Sequence, residues 1–154
     1  MEFIDLKAQQ KLIRKSLNTS INKVLDDGRY ILGEEVSQLE KQLSSFCGSQ
    51  HSIGCSNGTD ALIIALLALG IKPGDGVITV PFTYIATLEA IATIGAIPVL
   101  VDVYDATFNM NPELIEDVIK NSEYNIKAIM PVDLFGLPAR YRLIKEISEK
   151  YGLK

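Results

Sequence analysis

A short polar run in front of an apolar helix is the first group of residues in this chain that could bind a ligand. The run is Ser56-Asn57-Gly58-Thr59-Asp60, and residues 61–69 after it carry no charge. The first amides of a helix have no partners within it, the helix dipole adds partial positive charge, and glycine lets a ligand approach the backbone closely. The run therefore indicates an anion site, with a phosphate group as the expected guest. The same residue types are also ordinary helix caps, and that alternative stays open at this point.

Two aromatic residues that directly follow an apolar stretch form a second candidate. Phe82 and Tyr84 lie in the segment 81–87, immediately after a predicted strand at 76–80. Ligands of open α/β sheets bind outside the carboxyl ends of the strands, so Tyr84 could present its ring to a flat cofactor beside the anion site. The alternative is that both aromatic side chains pack the loop against the sheet.

The glycine-flanked loop at 28–33 is a third candidate. The two flanking glycines indicate a conformationally special connection. Arg29 or Tyr30 could meet an anionic or hydroxylated substrate. Alternatively, Ile31 and Leu32 form a hydrophobic staple that fixes the entry into the next helix, and the spacing alone favours this alternative.

Composition and charge argue against several classes of protein. The chain has 154 residues, 47% of them hydrophobic, which is enough for one domain with a core. A net charge of -4 without a basic stripe argues against a nucleic-acid partner. The first ten residues carry charges at Glu2, Asp5 and Lys7 instead of an apolar signal core, and the run at 61–69 is too short to cross a bilayer. We therefore expect a soluble, cytoplasmic protein that makes no membrane contact.

The cysteines and the single histidine give little support for a metal site. Cys47 and Cys55 are eight residues apart with no second pair, and His51 has no partner at ligand spacing. We expect no metal, and we expect both thiols to be buried because free cysteine is usually a core residue.

The elements that must position these candidates follow from hydrophobic periodicity. An amphipathic helix ends at Asp27-Gly28, and a second helix spans about 34–46 with Gly48 as its stop and with Val36, Leu39, Leu43 and Phe46 facing inward. After them, short apolar runs alternate with helices, which is typical of an α/β fold with a mainly parallel sheet flanked by helices. The predicted strands are 52–56, 76–80, 98–103 and 127–132, and the predicted helices are 59–69, 84–94, 112–120 and 140–151.

Two further expectations concern burial and extent. Because residues 61–69 carry no charge, the helix that contains them should be buried on nearly every side. The chain stops after Gly152-Leu153-Lys154, where an alternating pattern would enter its next strand. We therefore expect residues 1–154 to form a single, partial domain.

Five motifs in a fixed order make the chain similar to a known family. They are Gly28-Arg29-Tyr30-Ile31-Leu32-Gly33, Ser56-Asn57-Gly58-Thr59-Asp60-Ala61-Leu62, Lys72-Pro73-Gly74-Asp75, Pro81-Phe82-Thr83-Tyr84-Ile85-Ala86-Thr87 and Pro131-Val132-Asp133-Leu134-Phe135-Gly136. The order resembles the DegT/DnrJ/EryC1/StrS family of nucleotide-sugar aminotransferases, which depend on pyridoxal 5'-phosphate (PLP). The similarity extends over residues 3–154. It implies an N-terminal arm and the first half of the large PLP-binding domain of a fold-type I transferase, without the later strands and the C-terminal domain.

The resemblance also implies roles for particular residues. Gly58, Thr59 and Asp60 would hold the cofactor phosphate, largely through backbone amides. Tyr84 would stack on the pyridine ring. Gly28 and Tyr30 would border the nucleotide-linked sugar. The family builds its active sites at dimer interfaces, so assembly into a homo- or hetero-oligomer is implied as well.

Differences from the family pattern limit the expected activity. Asp133 stands where such proteins often carry histidine. The aspartate that pairs with the pyridinium nitrogen and the lysine that attaches the cofactor are absent from this sequence, and chemistry on this cofactor depends on both. We therefore expect a truncated relative that is inactive alone. The alternative is a non-catalytic binding or assembly module that docks onto a full-length relative.

The resemblance has a consequence for the sheet. In the family fold, the first strand lies beyond the last three strands, which this chain lacks, so the strand at 52–56 would have no direct neighbour. Unpaired apolar strand edges promote aggregation, and we expect a marginally stable or sticky product unless a second polypeptide supplies the missing strands.

Overall fold

The computed structural model describes residues 4–154, and these fall into two compact units. The boundary lies between Gly54 and Cys55, so the first unit covers residues 4–54 of the described chain and the second covers 55–154. The three candidate segments are thereby distributed over both units.

The first unit consists of two helices, α1 (Leu6–Asp27) and α2 (Glu34–Cys47). Both end at a glycine in the left-handed conformation, Gly28 at φ 64° and Gly48 at φ 68°, which confirms both predicted stops. A hydrogen-bonded ion pair at 2.7 Å joins Lys23 of α1 to Glu35 of α2.

The prediction that the apolar side chains of α2 face inward is wrong, because none of them is buried. Neither helix has a buried residue, and the side chain of Phe46 is 88% exposed. The physical reason is that two helices alone do not enclose a core, so apolar periodicity on α2 marks a face that nothing covers within this unit. For the same reason Cys47, at the end of α2, is exposed, contrary to expectation.

The second unit is built on a parallel sheet of three strands. The central strand is β1 (Asp75–Thr79), flanked by β2 (Ile97–Leu100) on one side and β3 (Asn125–Ile129) on the other. Both pairings are parallel, which confirms the predicted class of sheet. β1 is almost completely buried, as expected for a strand covered on both faces.

The strand predicted at 52–56 is not present. Residues 51–55 have no regular secondary structure, Ile53 is exposed, and Cys55 is exposed instead of buried as expected. A strand needs a hydrogen-bonded neighbour to persist, and β-propensity without such a partner does not hold the backbone in a sheet.

Helices cover both faces of the sheet. One face carries α3 (Gly58–Ala68) and α4 (Ala86–Thr93), with a small core around Leu66, Val77 and Ile91. The other face carries α5 (Ile115–Asn121), preceded by a 3-10 turn at Pro112–Leu114, and α6 (Tyr141–Tyr151). Asn111 caps the turn and Pro112 occupies its first position.

The expectation that the uncharged helix α3 is buried on nearly every side is wrong. Only Leu66 is buried, while Ile64 and Leu67 are more than half exposed. In the second unit α3 packs against α4 and, through Leu66, against the sheet, and the remaining apolar faces of α3 lie open. The absence of charge on α3 therefore predicts apolar faces, and the second unit covers only a part of these faces.

Within residues 4–154, every helix is too short or too polar to cross a bilayer.

Candidate functional site

A cleft of about 480 Å³ lies where three segments of the second unit meet. Gly58 and Thr59 line it from the start of α3, and Tyr84 lines it from the connection after β1. The third wall is the segment 132–135, which follows β3. The carboxyl ends of neighbouring parallel strands thus meet beside a helix N-terminus, as expected for ligand sites of open α/β sheets.

The start of α3 is held by a reciprocal cap. Asn57 Oδ1 accepts a hydrogen bond from the Asp60 amide at 2.9 Å, and Asn57 Nδ2 donates to Asp60 Oδ2 at 3.0 Å. The Ser56 hydroxyl donates to the same carboxylate oxygen. Asp60 therefore serves the cap with both its amide and its side chain, and it is not among the residues that line the cleft.

Two amides remain for a ligand at this helix terminus. The Gly58 and Thr59 amides donate to no group in the part of the chain that the structure describes, whereas the Ala61 amide bonds to the Asn57 carbonyl. Unpartnered amides at the first positions of a helix attract anions through their N–H groups and through the helix dipole. Capping and anion binding, which the sequence leaves as alternatives, would thus use different amides of the same turn.

The space beside Gly58 fits a phosphate group. A Cβ atom built at Gly58 would find no protein atom within 4 Å, and φ at this position lies outside the left-handed region. Neither packing nor backbone conformation within the second unit therefore requires glycine here. The open volume next to two unpartnered amides has the size and the donors that a phosphate oxygen needs.

Tyr84 lies at the mouth of the cleft, ahead of α4. Its side chain is 77% exposed, so the alternative that it packs the loop against the sheet is wrong. A hydrogen bond of 2.9 Å between the Thr83 and Thr87 hydroxyls closes the turn that carries Tyr84, and Thr87 is buried. The ring is thereby presented from a fixed turn with its surface available for stacking.

Asp133 and its neighbours form the wall after β3. Asp133 Oδ1 accepts hydrogen bonds from the Ala139 amide and from the Tyr141 hydroxyl, each at 2.9 Å. Partial desolvation of the Tyr141 hydroxyl, and secondly its hydrogen bond to Asp133, raises the pKa of this hydroxyl. The role of Asp133 that the structure reveals is to fasten this loop to the start of α6.

Sequence reasoning missed Asn109, which fastens the same loop from the other side. Asn109 is only 4% exposed; its Oδ1 accepts from the Leu134 amide at 3.1 Å and its Nδ2 donates to the Leu137 carbonyl at 2.8 Å. No motif surrounds it in the sequence. Its partners lie 25 and 28 positions away along the chain, so local spacing carries no signal for them.

The loop 28–33 belongs to the first unit, so Gly28 and Tyr30 are described apart from the cleft. A Cβ atom at Gly33 would lie 2.7 Å from the Arg29 carbonyl oxygen, and Leu32 has a left-handed φ of 49°, so the connection is conformationally special, as predicted. Ile31 and Leu32 are both exposed, and the hydrophobic-staple alternative is therefore wrong. Tyr30 is exposed as well.

Among the residues from 4 to 154, no group of three or more histidine, cysteine, aspartate or glutamate side chains could hold a metal ion.

Comparison with known proteins gives consistent matches over nearly the whole chain. The model of the DegT/DnrJ/EryC1/StrS aminotransferase family matches residues 11–154. UDP-2-acetamido-2-deoxy-3-oxo-D-glucuronate aminotransferase of Pseudomonas aeruginosa is 48% identical over 153 residues, which are 99% of this chain. This chain spans 42% of the length of that relative.

Solved structures match the fold equally well. A DegT DnrJ EryC1 StrS aminotransferase from Brucella abortus superposes with a TM-score of 0.95 at 49% identity, over 99% of this chain and 42% of that one. NtdA from Bacillus subtilis, solved with its cofactor PMP bound, gives a TM-score of 0.87 at 36% identity, over 91% of this chain and 32% of that one. The chain belongs to the DegT/DnrJ/EryC1/StrS family of PLP-dependent aminotransferases and spans less than half the length of the family members described above.

Proposed function

We propose that this chain supplies the phosphate-binding part of the PLP site of a nucleotide-sugar aminotransferase. The observation that carries the proposal is the pair of unpartnered amides, Gly58 and Thr59, facing open space in the same cleft as Tyr84. PLP, when bound, supplies an electron sink for amino transfer. The residues of this chain bind and orient it.

Each residue of the site has a distinct part in the proposal. The Gly58 and Thr59 amides donate to the phosphate, and Tyr84 offers a ring face to the pyridine. Asp60 supports the turn through its cap with Asn57 and does not contact the phosphate with its carboxylate, since a second negative charge there would oppose binding. Gly28 and Tyr30 border the substrate, as the resemblance implies.

The relatives support one class of substrate for this proposal. The Pseudomonas relative acts, by its name, on a UDP-linked 3-oxo sugar, and this chain matches it over 99% of its own length. We propose a keto-sugar linked to a nucleotide as the acceptor and an amino acid, typically glutamate, as the amino donor. The protein would work in an oligomer, and the two free thiols, Cys47 and Cys55, fit a reducing compartment such as the cytoplasm.

Residues 1–154 by themselves are proposed to be inactive. Every residue that lines the cleft is neutral apart from Asp133, so no lysine of the described chain stands at the site. Lys72, Lys127 and Lys154 line a different cavity. A covalent anchor and proton carrier for the cofactor is therefore missing from the cleft.

Borohydride trapping tests the catalytic part of this proposal. The chain is incubated with PLP, reduced, and mapped by mass spectrometry, and amino transfer from glutamate to a nucleotide-linked keto-sugar is assayed in parallel. We expect scattered, substoichiometric adducts and no turnover. A single stoichiometric adduct at one native lysine, together with turnover, would overturn the claim of inactivity.

Binding of pyridoxamine 5'-phosphate (PMP) tests the phosphate site itself, because this ligand has no aldehyde to react with lysines. Amide resonances of the ¹⁵N-labelled chain are followed during titration. We expect saturable shifts that are largest at Gly58 and Thr59, and smaller ones in Gly58→Ala. Shifts confined to other segments would contradict the proposed site.

A further inference from the structure

Phe135 has an unusual combination of backbone conformation and exposure. It lies in the 3-10 turn Leu134–Gly136 with a left-handed φ of 55°, although it is not glycine, and its side chain is 80% exposed. A bulky residue at positive φ is strained, and such strain persists only where the surroundings enforce it and concentrates at functional sites. Phe135 also lines the cleft that contains Gly58, Thr59 and Tyr84.

Two separate clamps enforce this conformation. Asn109 holds the turn from within the core, through the Leu134 amide and the Leu137 carbonyl. Asp133 holds the adjoining segment through the Ala139 amide and the Tyr141 hydroxyl. The Gly136 amide also bonds to the Asp133 carbonyl at 3.1 Å. These hydrogen bonds fix the backbone of the turn but do not bury the Phe135 ring. Their effect is therefore to hold an apolar ring in an exposed position.

Other aromatic rings support Phe135 from one side. Phe108, itself at a left-handed φ of 58°, meets Phe135 edge to face with ring centroids 6.4 Å apart. Phe82 lies 5.1 Å from Phe108. The three rings link the segments that follow β1, β2 and β3, and Phe135 is the one of the three that lines the cleft.

We propose that Phe135 is a ligand-contacting residue of the cleft that binds the flat ring of a phosphorylated aromatic ligand whose phosphate lies on the Gly58 and Thr59 amides. This inference rests on the proposed function and adds to it a second residue that selects for a ring. In the proposed function Tyr84 meets the ring from the connection after β1, and Phe135 meets it from the segment after β3. This second exposed aromatic side chain adds to the preference for a ring over a bare phosphate, through stacking or edge contact.

Comparison of two ligands separates the contribution of the ring from that of the phosphate. Dissociation constants of PMP and of inorganic phosphate are measured by NMR titration for the wild-type chain, for Phe135→Ala and for Phe135→Tyr. We expect Phe135→Ala to weaken PMP by about three- to tenfold and to leave inorganic phosphate unchanged, since one aromatic contact is lost. Phe135→Tyr should retain the affinity for PMP.

Controls guard against general effects on the chain. Phe46→Ala removes an exposed phenylalanine of the first unit and should change neither affinity. A second test changes a residue that holds the turn. Asn109→Asp keeps the acceptor for the Leu134 amide but loses the donor to the Leu137 carbonyl, and it should weaken the binding of PMP but not the binding of inorganic phosphate. A nuclear Overhauser effect between the Phe135 ring and the methyl group of PMP would report the contact directly.

The outcomes distinguish this inference from the proposed function. If neither ligand binds the wild-type chain at Gly58 and Thr59, the proposed function fails and this inference fails with it. If both ligands bind there and Phe135→Ala changes neither affinity, or changes both equally, only the role of Phe135 is overturned. Selective weakening of PMP supports it.

Discussion

Asn57 and Asp60 cap each other at the start of α3, with 2.9 Å between Asn57 Oδ1 and the Asp60 amide and 3.0 Å between Asn57 Nδ2 and Asp60 Oδ2. This arrangement satisfies the third amide of the helix internally and leaves the first two for a ligand. The stability of the turn and the proposed binding of an anion therefore depend on different atoms. They can be tested with different substitutions.

Asn57→Ala should destabilise the second unit without touching the ligand amides. Loss of the cap leaves the Asp60 amide unpartnered, at a cost of about 1 kcal/mol. Asn57→Ser restores a side-chain acceptor and should recover most of the loss. Urea unfolding measures both variants. Asn121→Ala, which removes an exposed hydrogen bond at the end of α5, is the control, and a loss in that variant equal to the loss in Asn57→Ala would contradict the role of the cap.

The contact between α5 and α6 should make stability depend on pH in the acid range. Hydrogen bonds from Lys150, and then from Tyr151, lower the pKa of Glu116 from 4.5 to about 2. A lowered pKa in the folded state means that this stabilisation is fully present above about pH 4.5 and is lost as the pH falls towards about 2. Urea midpoints of the wild type and Glu116→Gln should therefore differ at pH 5 to 6 and converge towards about pH 2.

The control for Glu116 is Glu146→Gln on α6. It removes an exposed ion pair with Arg142 at 3.8 Å, and such pairs contribute little to stability. A difference between the wild type and Glu116→Gln that stays constant from pH 6 to about 2 would show that the bonds to Lys150 and Tyr151 do not stabilise the ionised carboxylate.

Local signals in the sequence predict most of the secondary structure. The stops at Gly28 and Gly48 and the three strands of the sheet are predicted from residues that lie close together in the sequence. Burial does not follow in the same way. The exposed faces of α2 and α3, and the missing strand at 52–56, depend on whether another layer or strand is present.

In the candidate site too, the features that local sequence signals determine are predicted, and those that depend on distant contacts are not. Gly58, Thr59 and Tyr84 are predicted from runs of adjacent residues, and the structure brings them to one cleft. Asp60 takes part in the cap through hydrogen bonds to Asn57, a residue type that the sequence already marks as a helix cap. Asn109 and the exposure of Phe135 escape prediction, because both depend on hydrogen bonds between distant segments.

Gly33→Ala should destabilise the first unit. The added Cβ atom would lie 2.7 Å from the Arg29 carbonyl oxygen, a backbone atom that cannot rotate away, so we expect a loss of about 1 to 3 kcal/mol. Amide hydrogen exchange in α2 measures the effect. Gly54→Ala, whose Cβ atom would meet its neighbours at 3.5 Å or more, is the matched control in the same unit. Equal protection of α2 in Gly33→Ala and the wild type would show that the loop can relax.

The contribution of the phosphate group to the affinity for PMP tests the proposed phosphate site at the start of α3. Dissociation constants of PMP and of pyridoxamine, which lacks the phosphate, are compared in the wild-type chain and in Gly58→Ala, a change that the open space at Gly58 lets the fold accept. Hydrogen bonds from two amides to a charged group predict that PMP binds at least about tenfold more tightly than pyridoxamine. We expect this ratio to fall sharply in Gly58→Ala, because the methyl group occupies the phosphate's place. Equal affinities of the wild-type chain for the two ligands, or the same ratio in both proteins, would contradict a phosphate site at the start of α3.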